Sequence, residues 1–318
     1  MLKSASKVTI NTGNVLNLID IKKKAGQNVT EELSESIKLT LSEWGTQNGL
    51  PIQNGTTEPS QHYMVVSTSK ASEAVVNITR PHDDVQIKMA EEDRKNLKIG
   101  VKIFINEDSP TALCECLENV FTALQTELIE NVILSYNPEH LHKDERDDNI
   151  KTTFTKASPI SLGSTVVRNS STEIEADSDA DARKCEAILP GIKTLWAVLE
   201  DYVKNGRVLQ LGVADVGGGC LYKLHAWAFV KPTIAQINLA SCCVVPPSLH
   251  TFCKANDVQL LTHADPADLL SVAALKTLSD AGIGCNNLDW CARYQVHIKC
   301  RGVLALKGYV CKATVGKQ

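Results

Sequence analysis

The chain has 318 residues and a formal net charge of −4, with both signs mixed along its length. That balance gives no basic stripe for nucleic acid or an anionic membrane surface, and no apolar run is long enough to span a bilayer. The apolar fraction of 43% is ordinary for a globular protein and supports a sizeable core, in one large α/β barrel or two smaller domains.

The start, Met1 to Lys7, has no apolar segment of the kind that directs secretion, so a cytoplasmic chain is expected. A helix is predicted over 31–44, where Leu33, Ile37, Leu41 and Trp44 share one face. Residues 46–61 are polar and rich in Gly, Pro, Thr and Asn, which reads as a loop, and 63–66 as a short strand. Residues 1–60 are thus expected to form a helical and loop extension, followed by the main domain over 61–318.

From Ile99 the pattern alternates. A strand is predicted over 99–105, a helix over 109–128 with Leu113, Leu117, Val120, Leu124 and Leu128 as its stripe, and a strand over 132–134. Residues 139–183 break this pattern. They are charged and rich in Ser and Thr, and they end in an acidic run from Glu173 to Asp181. Such a composition cannot bury enough apolar surface to offset its ordering entropy, so it reads as a mostly disordered polar insertion.

The alternation then resumes. Helices are predicted over 188–204, 221–229, 247–255 and 266–278, with strands over 208–213, 234–239, 258–262 and 294–299. Asn205-Gly206 closes the first of these helices, Ser248 is a candidate N-cap, and Pro246-Pro247 ends the strand before it. Repeated βα units imply a parallel sheet with right-handed crossovers, and a TIM-type (β/α)8 barrel is its natural closure.

Few residues carry a chemical signature. Gly217-Gly218-Gly219 follows a strand but lacks both the dinucleotide spacing and the acidic residue on the next strand, and no phosphate-binding P-loop motif is present. His263 and Asp265 sit at a strand end, where a His–Asp pair could act as a general base with its orienter. With no nucleophile to complete that set, Asp265 before Pro266 reads better as a helix N-cap. Eleven cysteines in a chain with no secretion signal read as reduced thiols. Cys114-Glu115-Cys116 and Cys242-Cys243 have the wrong spacing for zinc, and no metal site is expected. Cys242 and Cys243 are the redox candidates, although no Lys or Arg lies within their run to depress a thiol pKa. Lys299-Cys300-Arg301-Gly302, leading to Lys307-Gly308, would suit a phosphate or carboxylate, or form a solvated basic edge.

Several stretches carry a resemblance. They are 236–247, reading Q-I-N-L-A-S-C-C-V-V-P-P; 258–263 with Asp265-Pro266; Arg301-Gly302 through Lys307-Gly308-Tyr309; and, near the N-terminus, 11–17 and 39–44. In these the chain resembles the family of glutamate–cysteine ligase regulatory (modifier) subunits over most of its length, the 139–183 segment excepted. That family is in turn similar to the aldo-keto reductases, which are TIM barrels. Residues 206–213, followed by Ala214-Asp215, resemble the reductase stretch G-K-x-R-x-I-G-V-S-N.

The resemblance implies that Gln236 matches the reductase glutamine near the nicotinamide. It also implies that Lys299, Cys300 and Arg301 stand where reductases hold the 2′-phosphate, together forming a vestigial or sensing NADP(H) pocket. The departures are as informative. The tyrosine acid in its D-x-A-x-x-Y setting is not found, the strand-end histidine is replaced within 134–138, and Lys102 stands without its partners. A carbonyl needs a proton donor of tuned pKa as a hydride arrives.

The expectation is therefore a non-catalytic regulatory subunit that requires no cofactor. It would form a heterodimer with the ligase's catalytic subunit, which makes γ-glutamylcysteine in the first step of glutathione synthesis. It would improve that subunit's use of glutamate and relieve feedback inhibition by glutathione. An NADPH-dependent reductase and an NADP(H)-sensing pseudo-enzyme are the alternatives.

Overall fold

The structure, a computed structural model, describes residues 7–18, 29–48, 75–138, 171–238, 245–266, 269–270, 272–280 and 283–315. The strands are β1 (Lys7–Asn11), β2 (Val75–Thr79), β3 (Leu97–Ile105), β4 (Ile129–Tyr136), β5 (Val208–Ala214), β6 (Ile234–Asn238), β7 (Gln259–His263), β8 (Cys285–Ile298) and β9 (Val303–Val315). The α-helices are α1 (Val29–Gln47), α2 (Val85–Ala90), α3 (Pro110–Leu124), α4 (Ser171–Lys204), α5 (Gly218–Trp227), α6 (Pro247–Ala255) and α7 (Val272–Asp280).

All nine strands form one sheet in the order β2-β1-β9-β8-β3-β4-β5-β6-β7. From β3 to β7 every pairing is parallel, with α3, α4, α5 and α6 as the successive crossovers. This is the βα alternation legible in the sequence. On the other side, β8 runs antiparallel to both β3 and β9, because a tight turn at 299–302 folds β8 and β9 into a hairpin. Gly302 in that turn has φ +61°, a conformation glycine adopts without steric cost.

This sheet is rolled into a barrel. In the strand order β3 and β7 are four places apart, which in a flat sheet would separate them by about 19 Å. Yet Lys102 Nζ on β3 lies 2.8 Å from Oδ2 of Asp265, just beyond β7. Following the ladders, Lys102 is level with Ile133, Gly212, Ile234 and Gln259, so Asp265 lies six residues beyond its level. Barrel closure imposes such a stagger on tilted strands.

Alternation along β3 separates two cores. Val101, Ile103 and Ile105 pack with Leu113, Leu117, Val120 and Leu124 of α3 and with Ile192, Leu195, Trp196 and Leu199 of α4. Phe104 belongs instead to a cluster with Val8, Ile10, Leu33, Ile37 and Leu278. Helix α3 begins as its sequence requires. The Ser109 hydroxyl accepts from the Ala112 N–H at 3.3 Å, and Pro110 occupies the first turn. It stops at Leu124, where Gln125 turns left-handed at φ +48°.

Of the stretch expected as an extension over 1–60, β1 is hydrogen-bonded between β2 and β9 and α1 shares a core with Tyr309 and Leu288. Other expectations change. The predicted strand at 63–66 lies outside the described residues, as does the insertion over 139–170. Residues 171–183, expected within that insertion, open helix α4. Their acidic run has no apolar stripe to announce a helix, and Pro190 inside α4 suggests a start that the chain passes through. Ser248 does not cap α6, which starts at Pro247 with Pro246 as its N-cap.

Gly308 on β9 marks a close approach. A Cβ there would collide with the Gly13 carbonyl oxygen and the Tyr294 hydroxyl. Gly308→Ala is expected to lower stability by about 1–3 kcal/mol. A urea titration checks this, with the midpoint falling at unchanged slope.

Candidate functional site

The parallel strands end on one rim, and their polar groups converge on a single carboxylate. Asp265 follows β7 and is buried. Its Oδ1 accepts from Arg293 Nη1 at 2.5 Å, while Oδ2 accepts from Arg293 Nη2 at 3.0 Å and from Lys102 Nζ at 2.8 Å. Its carbonyl oxygen accepts from Asn238 Nδ2, at the end of β6, at 2.7 Å.

Lys102 and Arg293 are directly opposed partners across the β3–β8 ladder. Like charges so placed repel; Lys102 is buried and Arg293 is only 11% exposed. Asp265 between them compensates both with charge-assisted hydrogen bonds, a bidentate pair to Arg293 and a single bond to Lys102. Both cations also lie over the Phe104 ring, at 5.2 and 5.7 Å from its centroid.

His263 links this knot to the rim. Its Nε2 is 2.9 Å from Asp215 Oδ1, and its Nδ1 is 3.1 Å from the Asp265 backbone N–H. In the neutral ring this pattern assigns the proton to Nε2, donating to Asp215. Asp215 follows β5 with φ +60°, and its N–H donates to the Gln236 carbonyl oxygen at 2.9 Å. The Asp215 side chain is 36% exposed and the His263 side chain 7%.

Burial works against charge on each of these groups, and the ion pairs oppose it. Burial would raise the Asp265 carboxyl, but His263, Arg293 and Lys102 hold it far below the usual carboxylate range. At Lys102 burial prevails over the attraction of Asp265 and lowers the ammonium pKa. At His263 burial would lower the ring pKa, but the carboxylates of Asp215 and of Asp265, whose Oδ2 lies 3.3 Å from Nδ1, outweigh it and raise the ring above its ordinary value.

The sequence brought His263 and Asp265 into view but assigned Asp265 to a helix cap. The structure corrects this, because both carboxylate oxygens hold cations and the next helix begins only at Val272. Lys102, read as standing without partners, has Asp265 as its partner. Arg293 was missed: in W-C-A-R-Y-Q it looks like an ordinary strand cation, and only the β8 register sets it opposite Lys102.

No family model matches this chain. It is 27% identical over 319 aligned positions to the glutamate–cysteine ligase regulatory subunit of Mus musculus, covering 98% of this chain and 94% of that protein. The same figures hold for the regulatory subunit of Homo sapiens. The chain is a homologue of the glutamate–cysteine ligase regulatory subunits. A putative regulatory subunit of Schizosaccharomyces pombe is 29% identical over 123 residues, covering 37% of this chain and 43% of that one. Among solved structures, an aldose reductase from Giardia lamblia is 15% identical with a TM-score of 0.33, covering 55% of this chain and 47% of that one. An aldo-keto reductase complexed with NADPH is 16% identical with a TM-score of 0.34, covering 56% and 41%.

In this regulatory-subunit homologue the residues assigned to an NADP(H) pocket do not meet. Gln236 lies toward the rim, level with Ala214 on β5, and its Oε1 is buried with no hydrogen-bond partner among the described residues. Lys299, Cys300 and Arg301 lie in the β8–β9 turn, beside Asn96 at the start of β3 and therefore at the other end of the strands. Their charges are taken up there. Lys299 Nζ donates to the Lys95 carbonyl oxygen at 2.8 Å and lies 3.4 Å from Glu130 Oε1, and Arg301 pairs with Glu92. Gln236 and the basic turn thus lie at opposite ends of the strands, because β8 returns as a hairpin strand and carries the turn away from the rim.

Cys242 and Cys243 lie outside the described residues. Burial pushes up the thiols of Cys116, Cys253, Cys285 and Cys311, consistent with small buried hydrophobes rather than reactive thiolates. Among the described residues no cluster of three His, Cys, Asp or Glu side chains gathers to hold a metal, and no helix is long and apolar enough to cross a membrane.

Asp265→Ala leaves Lys102 and Arg293 buried and facing each other without a counter-charge. It is expected to lower unfolding stability by about 3–5 kcal/mol, measured by urea denaturation. His263 has its folded pKa raised, so its contribution to stability is fully present below the unfolded value of about 6.5 and is lost as pH rises through the folded pKa. In an NMR titration the His263 ring is expected to titrate above that unfolded value, and Asp215→Asn is expected to bring it down.

Proposed function

We propose that this chain is a non-catalytic regulatory subunit of glutamate–cysteine ligase, acting in the cytoplasm as a heterodimer with a separate catalytic chain. The observation that carries this reading is the likeness to curated regulatory subunits across 98% of the chain and 94% of theirs. A match of that extent leaves little of either chain for an unrelated domain.

The rim geometry supports the same reading. A carbonyl needs a proton donor of tuned pKa as a hydride arrives. Here the ammonium of Lys102 and the guanidinium of Arg293 are both bound to Asp265. The cluster has the form of an internal ion-pair knot, and in this role the chain needs no cofactor.

The regulatory effect is a population shift. A partner that binds the competent state of the catalytic subunit more tightly raises the share of that state. A coupling of about 1–3 kcal/mol would change apparent affinity by roughly 5–150-fold. In this role the chain improves the catalytic subunit's use of glutamate and weakens feedback inhibition by glutathione.

The test is a glutamate saturation curve for the catalytic subunit with and without this chain, repeated in the presence of glutathione. The expected outcome is a KM for glutamate lowered at least fivefold and an inhibition curve shifted to higher glutathione. Unchanged curves with the complex demonstrably formed would sink the proposal.

A further inference from the structure

A single exposed apolar side chain needs no explanation. Phe229, in the turn between α5 and β6, is a different case. It is 80% exposed, and Trp227 two residues before it is 45% exposed. The turn that carries them is rigid. Glu200 of α4, itself buried, accepts from the backbone N–H groups of both Phe229 and Val230, at 2.7 and 3.0 Å. Trp196 Nε1 donates to the Val230 carbonyl oxygen at 3.0 Å, and the Ala228 N–H closes the end of α5 on the Leu224 carbonyl at 2.8 Å. Lys231 Nζ donates to the Ala228 carbonyl at 2.7 Å. A buried carboxylate, an indole and a lysine thus fix the backbone of a residue whose ring projects into solvent. An aromatic already fixed in place loses little freedom when it is covered, as binding anchors require.

The surroundings are cationic. Lys193 lies over the Trp227 ring at 5.1 Å and Lys204 over the Phe229 ring at 5.7 Å. Lys223 is one helical turn before Trp227, on the same face of α5, and Lys231 ends the turn. Of the acids nearby on α4, Glu200 is engaged with the backbone and Asp201 pairs with Lys204, so Lys193, Lys223 and Lys231 carry the rim's net positive charge. An aromatic centre with a charged rim is the anatomy of a protein interface. A second copy of this chain would bring lysines against lysines, because a two-fold contact opposes each patch with itself. The rim calls for a partner bearing carboxylates around an apolar notch.

We propose that Phe229 and Trp227, within the rim of Lys193, Lys204, Lys223 and Lys231, form the surface that docks an acidic face of the ligase's catalytic subunit. This inference rests on the function proposed above and names the surface through which it works. It places the regulatory contact on the outer helical layer, away from the Asp265 knot.

The test is equilibrium binding of the full-length chain to the catalytic subunit, with Phe229→Ala, Lys193→Glu and Lys204→Glu compared with wild type. Ile87→Ala, another exposed apolar position at 65%, serves as control. Phe229→Ala is expected to weaken binding about tenfold or more with an unchanged melting temperature. The charge reversals are expected to slow association severalfold at low salt, with the difference fading as salt rises. The Ile87 variant is expected to bind as wild type. Binding within twofold of wild type in all three patch variants overturns the surface while leaving the regulatory role standing. Failure of the wild-type chain to bind the catalytic subunit overturns that role, and the surface with it. Self-association of wild type that is lost in Phe229→Ala, with catalytic-subunit binding unchanged, assigns the patch to a homotypic contact and overturns the proposed occupant.

Discussion

Two buried cations face each other across neighbouring strands, and the fold has to answer for them. Lys102 and Arg293 are ladder partners, the first buried and the second largely so, where desolvation and mutual repulsion both oppose their charges. The chain answers with Asp265, delivered from beyond β7 at the far edge of the strand order. The carboxylate can reach them only if the sheet rolls up. Electrostatics and barrel curvature are therefore one constraint. Asn238 and His263 fix the segment carrying Asp265, and Asp215 fixes His263.

Much of the architecture was legible in the sequence, and the gaps have physical causes. The βα alternation from Ile99 to His263 was readable because the helices on that stretch bury apolar stripes and each strand carries apolar residues that pack into the core. The hairpin was not. In β8, Asn287, Asp289 and Arg293 interrupt the apolar pattern, Asp289 accepting from Thr314 on β9 and Arg293 pairing with Asp265, and in β9 Gly308 and Lys312 break it too, Lys312 pairing with Glu115. The first half of α4 was hidden by composition, since an acidic helix without a stripe looks the same as a solvated loop.

The site was half legible for the same reason. His263 and Asp265 sit together in the chain, so their pairing could be entertained from spacing alone. Lys102 and Arg293 are brought to them by register and curvature, which no local pattern encodes. The turn at 299–302 depends on strand direction as well. The β8–β9 hairpin sets Lys299, Cys300 and Arg301 at the opposite end of the strands from Gln236, and likeness of segments does not encode which end of a strand a residue occupies.

Lys102 and Asp265 are separated by 163 positions in the chain. Bringing such distant groups together carries a large loop-closure entropy, and contacts of that range slow folding. The β3–β4–β5 run can assemble from neighbouring segments before the carboxylate arrives. Until it does, Lys102 has no counter-charge in the forming core. Arg293 lies 28 positions beyond Asp265, so in a nascent chain the knot closes only once β8 has been made.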